Sequence, residues 1–327
     1  MNKFINLAHG SGGNESDELI TILKKTLKQN SAWRNQNDDG ATLVTTNFKN
    51  QKLVFTTDSF VINPLFFRGG NIGKIAACGT INDLTVMGAK PLGLSLSLII
   101  EEGFPVSDLN KIMASLAQIC HQEKVPVVTG DTKVMEKGKL DKIMINTSGV
   151  GLAKRVISDS GLKPGDLICA NGTLGDHGSV ILANRFNYQT RLKSDSATFI
   201  KEFFKIINLV SAAKDPTRGG LSQCLNELAE KSRVKIFVDE KNKIFKKESL
   251  AIAGLLGISE YSLPSEGRFV FGIKKSNLNK VKNIFKKQKK DLVVFGEVQI
   301  GRGVFIKTKF GERPLEKPRG KLIPRIC

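Results

Sequence analysis

Long apolar runs are missing from this chain of 327 residues. Its most hydrophobic stretch, "LGLSLSLII", is interrupted by serines and falls well short of the roughly 20 residues of a membrane-spanning helix. The start, "MNKFINLAHGSGG", lacks the apolar core of a signal peptide. Cysteine is sparse. Cys78, Cys120, Cys169, Cys224 and Cys327 are an odd set, widely spaced and without a CxxC pair, which argues against a disulfide framework and a zinc site. The expected setting is a reducing cytoplasm, with no membrane partner.

Negative charge is also in deficit, with 31 Asp and Glu against 50 Lys and Arg. The imbalance is local: residues 1–150 carry a net +2 and residues 151–327 a net +17. Its densest block, "KKSNLNKVKNIFKKQKK" at 274–290, sets Leu278, Val281, Ile284 and Phe285 on one helical stripe and the lysines elsewhere. That pattern reads as a solvated helix face. A nucleic-acid surface would interleave aromatics within a recognisable module, so nucleic acid is not the expected partner. The familiar nucleotide loops are absent too. "GGNIGKI" has the wrong glycine spacing for a P-loop and places Ile75 where a Ser or Thr must bind Mg²⁺. "HGSGG" has no strand before it, which removes the dinucleotide fingerprint.

What is present alternates between strand and helix patterns through both halves, the signature of α/β architecture. A helix is expected at about 16–28 with Ser16 as its N-cap, followed by a hairpin from "ATLVTTN" and "KLVFTTDS". "GGNIGKIAACGTINDLTVMGAKP" has helical spacing and stops at Gly88, and "SDLNKIMASLAQICHQ" reads as a helix capped by Ser107. Charge, glycine and proline in "KRVISDSGLKPGD" mark a domain boundary, giving domains 1–155 and 156–310. From about Phe310, "FGERPLEKPRGKLIPRIC" has three prolines and no apolar period. Residues 311–327 therefore read as an extended arm ending in Cys327.

Five acids sit beside glycines where elements end: Asp58, Asp83, Asp131, Asp176 and Asp215. Singly, each reads as a cap or turn residue. Together with glycine-rich "HGSGG" and "RGGNIG" they point to a site for Mg²⁺ and polyphosphate, because Mg²⁺ takes hard oxygen ligands. Cys78, Cys120, Cys169 and Cys224 fall within apolar patterns and read as buried and inert. Cys327 stands apart, with no packing role to explain it.

"NDLTVMGAKP" fits the Asp-x4-Gly-Ala-x-Pro signature of the ATP-binding superfamily of aminoimidazole ribonucleotide synthetase, thiamine-monophosphate kinase and selenophosphate synthetase. Within it, "LAHGSGG", "NPLFFRGGNIGK", "EEGFP", "VTGDTKV", "INTSGVG", "GTLGDHG", "DPTRGGL", "SEGRFV" and the terminal "PRIC" closely resemble the hydrogenase maturation factors of the HypE family, from Leu7 to Cys327. Two departures are visible: Asn63 stands where the family has an acid, and Arg68 where it has proline.

The resemblance implies two α/β domains with mixed sheets, the N-terminal domains pairing through their sheets as a homodimer. It implies that HypF carbamoylates Cys327, that the thiocarbamate is dehydrated with ATP to a thiocyanate, and that the nitrile passes to [NiFe]-hydrogenase iron on a HypC–HypD complex. Asp58, Asp83 and Asp131 are then expected to hold Mg²⁺. Asn82, Asp215, Gly10, Gly12 and Gly13 would join the nucleotide site, Lys133 would neutralise phosphate charge, and Glu266 would be the general base. His9 is expected to contact phosphate or the thiocarbamate, His177 to line the same cleft, and His121 to lie on the surface. Selenophosphate synthetase is the alternative within the superfamily, but it uses a Cys or selenocysteine near the N-terminus, and no cysteine precedes Cys78.

Overall fold

A computed structural model describes residues 13–15, 17–18, 21, 33–34, 38–43, 50–318 and 325–326. The first half builds β1 (Trp33–Arg34), β2 (Ala41–Leu43), β3 (Lys52–Phe60), a small ladder of β4 (Phe66–Phe67) and β5 (Gly70–Asn71), helix α1 (Ile72–Val86), β6 (Lys90–Glu101), α2 (Val106–Glu123), β7 (Val127–Met135) and β8 (Ile143–Ala153). The main sheet runs β1-β2-β3-β8-β6-β7. Only β6 and β7 pair in parallel; the other neighbours are antiparallel.

Helix α1 is apolar around most of its circumference because it is covered on several sides. Asn71 caps it by accepting a hydrogen bond from the Lys74 amide at 3.1 Å, and Gly88, at φ +80°, lets the chain turn away. β8 alternates strictly: Ile143, Ile145, Thr147 and Gly149 face α1, whereas Met144, Asn146 and Ser148 occupy the opposite, half-exposed face. A Cβ at Gly149 would stand 2.8 Å from Thr80 and 2.9 Å from Leu84. Glycine is what lets the helix lie this close to the sheet. The α2 helix starts at Val106 with Pro105 in the cap position, so Ser107 is inside the first turn and not the cap expected of it.

The second half adds β9 (Asp166–Ala170), α3 (Asp176–Arg185), α4 (Ile200–Ile206), β10 (Val210–Lys214), α5 (Gly220–Ser232), β11 (Lys235–Asp239), α6 (Lys247–Leu256), β12 (Val270–Lys274), α7 (Leu278–Lys287), β13 (Val293–Gln299), β14 (Gly303–Thr308) and β15 (Gly311–Pro314). Its sheet runs β10-β12-β9-β13-β11-β14-β15, with β11 and β14 parallel and the other pairs antiparallel. Both sheets are therefore mixed, as expected. Between the halves lies an aromatic cluster in which the Phe269 ring is 4.8 Å from Phe199, 5.2 Å from Phe203 and 5.1 Å from Phe271. It packs with Leu84, Val86 and Met87 from the end of α1, which joins the two halves through one core.

In α7, Val281 and Phe285 are buried and the lysines point outward, as the stripe predicts. The expected arm at 311–327 begins later than the composition indicates. Gly311–Pro314 pairs with β14, Leu315 is buried, and Ser222 and Asn226 of α5 donate to the carbonyls of Glu316 and Leu315 at 2.6 and 2.8 Å. A β edge accepts an irregular sequence through its backbone alone, which periodicity cannot register. Most of the expected 16–28 helix, including Ser16, lies outside the described residues; those described, Asp17, Glu18 and Thr21, are helical. Among the described residues no helix is long and apolar enough to cross a membrane.

Candidate active site

The strand–helix pairing of the first half brings its acids together. Asp58 lies on the α1-facing side of β3, where Thr80 of α1 donates to its Oδ2 at 3.4 Å. Asp83 lies one turn further along α1, and Thr56 Oγ1 sits 2.8 Å from its Oδ2 and 2.9 Å from the backbone oxygen of Asp39. From the second half come Asp215, at the end of β10, and Glu266, before β12. Burial pushes all of these carboxyls up. Asp39 and Asp215 reach about 7, Asp58 is raised, and Asp83 and Glu266 are held well above the carboxylate range, with neighbouring carboxylates adding to the effect of burial.

Two basic groups face this cluster. Lys214 pairs with Asp39 and lies 3.2 Å from Glu227 and 3.5 Å from Asp159. Arg218 lowers the charge cost at Asp58, Asp215 and Glu266. Asp39 was not among the residues expected here, although Asp38-Asp39-Gly40 repeats the acid-beside-glycine pattern that singled out the others.

Among the described residues no three acidic, His or Cys side chains form a ready-made metal cage. The donor chemistry nevertheless fits Mg²⁺. Asp39 Oδ2 and Glu266 Oε1 are buried without a hydrogen-bond partner, and the crowd of oxygen donors holds too little positive charge. Mg²⁺ commonly takes one or two carboxylates and completes its shell with phosphate and water.

The expected metal-site residues do not all come together within one chain. Asp131 and Lys133 do not share a site with Asp58 and Asp83 within one chain. In the register, Asp58 aligns with Thr147, Leu96 and Gly130, so Asp131 lies three strand spacings, about 14 Å, across the sheet. Asp131 is also in the row of Ser59, Asn146 and Ser97, which points to the face opposite α1. It is paired with Lys133 at 3.0 Å, and the side chains are 61% and 70% exposed. The sequence shows acids at strand ends but not the strand order that separates them.

Asn82 is likewise reassigned. Its Nδ2 donates to the carbonyls of Ala197 and Glu266 at 2.9 and 3.3 Å, and its Oδ1 accepts from the Phe199 amide at 3.2 Å. It is a buried bracket between α1 and the Glu266 turn, with its amide fully occupied by backbone. Gly13 takes φ +92°, and a Cβ there would stand 2.2 Å from the Pro318 oxygen, so the glycine segment meets the base of the tail. His9, Gly10, Gly12 and Cys327 lie outside the described residues.

The last described residues, Arg325 and Ile326, are seated beside β3. Ile326 is buried, and its carbonyl accepts from His177 Nε2 at 2.7 Å. The Asn63 amide donates to the Arg325 carbonyl at 3.1 Å, Arg185 donates to the same carbonyl, Arg325 Nε donates to Val61 at 3.2 Å, and the Arg325 guanidinium pairs with Asp141. Val61 lies three positions after Asp58, so the described chain end is tied to the segment that leaves β3. His177 is fully buried, which lowers its pKa to about 4 and keeps the ring neutral. His121, in the last turn of α2, is exposed as expected.

Comparison with known proteins shows the family. Residues 37–153 match the family described as AIR synthase related protein, N-terminal domain, and residues 163–309 match its C-terminal domain. Carbamoyl dehydratase HypE of Cupriavidus necator is 37% identical over 99% of this chain and 95% of its own length. The chain belongs to the HypE family. A crystal structure of a HypE–HypF complex superposes with a TM-score of 0.84 at 36% identity, covering 92% of this chain and 99% of that one. A HypE structure in complex with ATP superposes at 0.80 with 30% identity, over 99% and 100%.

Within the HypE family the two departures in this chain still make backbone contacts, and the Arg68 guanidinium also donates to the Thr190 carbonyl at 2.8 Å. Asn63 contributes its N–H to Arg325 and its carbonyl to Arg185 Nε at 2.5 Å, and Arg68 contributes its carbonyl to the Ser194 amide at 2.8 Å. The four internal cysteines are free and buried, and burial pushes the Cys78 and Cys169 thiols up to about 12. Reaction of the native chain with excess maleimide is therefore expected to label Cys327 and none of these four, and the unfolded chain to take five labels. A second label on the native chain, located by peptide mass mapping, would contradict their burial.

Proposed function

We propose that this HypE-family chain is an ATP-dependent carbamoyl dehydratase that acts on its own C-terminal Cys327 in the maturation of [NiFe]-hydrogenase. The observation that carries the reading is the seat at Val61, Asn63 and His177, which holds Arg325 and Ile326, the two residues before Cys327, just past the end of the strand that bears Asp58. On this reading Cys327, the next residue, delivers its thiol to the acid cluster. HypF is the carbamoyl donor enzyme, as the HypE–HypF complex of a relative supports, and the HypC–HypD complex is the acceptor of the nitrile. The nucleic-acid alternative leaves the acid cluster and the seat unused.

The amide oxygen of an S-carbamoyl group is a poor leaving group, so it takes the γ-phosphoryl of ATP and departs as phosphate. Two protons leave nitrogen, and S–CO–NH₂ becomes S–C≡N. Glu266 is the base on this reading, and Asp215, Arg218 and Asp39 frame the phosphates. Mg²⁺ would be held by Asp58 and Asp83, where it would neutralise triphosphate charge and ease the carboxylate repulsion that, after burial, raises Glu266. Incubated with HypF, carbamoyl phosphate and ATP, the C-terminal peptide gains a carbamoyl mass and then loses one water. Cys327→Ala carries neither modification, and a variant that still carried them would end the assignment.

We further propose a homodimer formed by the open face of the first sheet. Among the described residues β7 is the outer strand of the sheet, and on the face opposite α1 the half-exposed Ser97, Asn146 and Ser148 form a polar row that runs on to Asp131. Asp131 and Lys133 occupy this same face, so a second copy is what could bring them to a nucleotide. Sedimentation should give the mass of two chains, and Ser97→Lys should give one. A wild-type monomer would remove this reading. Domains 1–155 and 156–310, with a tail at 311–327 whose first residues pair with β14, complete the proposed organisation.

A further inference from the structure

Between α3 and α4 runs a segment, residues 194–199, whose Ser194, Asp195, Ser196 and Phe199 are buried and which touches both the tail seat and the Glu266 turn. On one side, His177 Nδ1 lies 2.8 Å from Ser194 Oγ, and its Nε2 lies 2.7 Å from the Ile326 carbonyl oxygen. A carbonyl only accepts, so Nε2 carries the proton, and bare Nδ1 accepts the Ser194 hydroxyl hydrogen. Ser194 is itself fixed: its amide donates to Arg68 at 2.8 Å and its Oγ accepts from the Ser196 amide at 3.1 Å. The edge of the Phe67 ring, 5.3 Å away, holds the imidazole plane.

On the other side, the next residue reaches the base. Asp195 Oδ1 accepts from the Glu266 amide at 2.9 Å, with Arg268 Nε 3.9 Å from its other oxygen. A Cβ at Gly267 would fall 2.1 Å from the Asp195 carbonyl oxygen and 2.6 Å from the Ala197 amide, so the turn and the segment are in backbone contact. Asn82 closes the bracket from α1. The contacts run Ile326, His177, Ser194, Asp195, Glu266 without a gap, and each of these residues is buried.

We propose that Ser194 is a positioning residue that couples the seating of Ile326, the residue before Cys327, to the orientation of Glu266. The inference rests on the reading of Cys327 as carbamoyl carrier and Glu266 as base. The seat fixes the imidazole, the imidazole fixes the serine hydroxyl, and the adjoining Asp195 holds the backbone from which Glu266 projects. Glu266 is then aligned when the tail is home.

The test uses full-length, carbamoylated protein. Single-turnover water loss with ATP is followed by mass spectrometry of the C-terminal peptide, and seating is followed by the rate of Cys327 alkylation before carbamoylation. Ser194→Ala should slow water loss about tenfold while ATP affinity and alkylation change by less than about twofold, and Ser194→Thr, which restores the hydroxyl, should recover the rate. His177→Ala should both speed alkylation and slow water loss by about tenfold. If that variant fails to fold, His177→Gln keeps a donor for Ile326, so it should alkylate slowly and still dehydrate slowly. Water loss at the wild-type rate in Ser194→Ala would overturn the coupling, as would alkylation as fast as in His177→Ala. Undiminished water loss in Glu266→Gln would instead fault the choice of base, which separates the two failures.

Discussion

Replacing Glu266 by Gln is expected to leave Cys327 carbamoylated by HypF and to slow the loss of water by about 10²–10⁴-fold, the range contributed by a positioned general base. The substitution preserves shape. The Glu266 amide still donates to Asp195 Oδ1, and the carbonyl still accepts from Asn82, because both contacts belong to the backbone. Only the proton-accepting oxygen is lost. Glu266 Oε1 is buried and has no hydrogen-bond partner, so no existing bond is broken by the change. The measurement is single-turnover mass spectrometry on pre-carbamoylated protein. A rate within twofold or so of wild type would remove Glu266 from the chemistry.

The second large effect is on stability and concerns the buried acids. Asp215 titrates near 7 in the folded chain against 3.8 as its ordinary value, with burial the main cause. The folded state therefore binds more protons than the unfolded state between those values, and stability falls as pH rises through that window. Three pKa units correspond to about 4 kcal/mol for this one group. Asp58 and Asp83 shift in the same direction. In EDTA, the denaturant midpoint should decline steadily from about pH 5 to about pH 8. Mg²⁺ with ATP should restore it most at the alkaline end, where the uncompensated carboxylates are ionised. A midpoint in EDTA that is flat or rises over this range would contradict the buried cluster, and Asp83→Asn should flatten part of the slope.

The exposed lysines of α7 illustrate how far composition reaches. Their charge and the stripe of Val281 and Phe285 were legible because amphipathic spacing is a local property. The strands Val210–Lys214 and Gly303–Thr308 and the helix Lys247–Leu256 carried no comparable signal. They are short, and their place depends on the neighbours they pair with or cover. Asn82 shows the limit at the site. Its position beside Asp83 invited a ligand role, but its amide is consumed by Ala197, Phe199 and Glu266, residues more than a hundred positions away.

The sequence by itself determined the α/β class, the hairpin whose second strand carries Asp58, the α1 helix and its stop at Gly88, the inert character of four cysteines and the HypE motifs that include Cys327. These follow from spacing, capping and composition, which act over a few residues. Only the tertiary structure decided which acids meet. It joined Asp39, Asp58, Asp83, Asp215 and Glu266 from distant segments, moved Asp131 and Lys133 to the other face of the sheet, and tied Ile326 through His177 to the Glu266 turn. Strand order and register are set by long-range pairing, and no local pattern encodes which strands lie between two carboxylates.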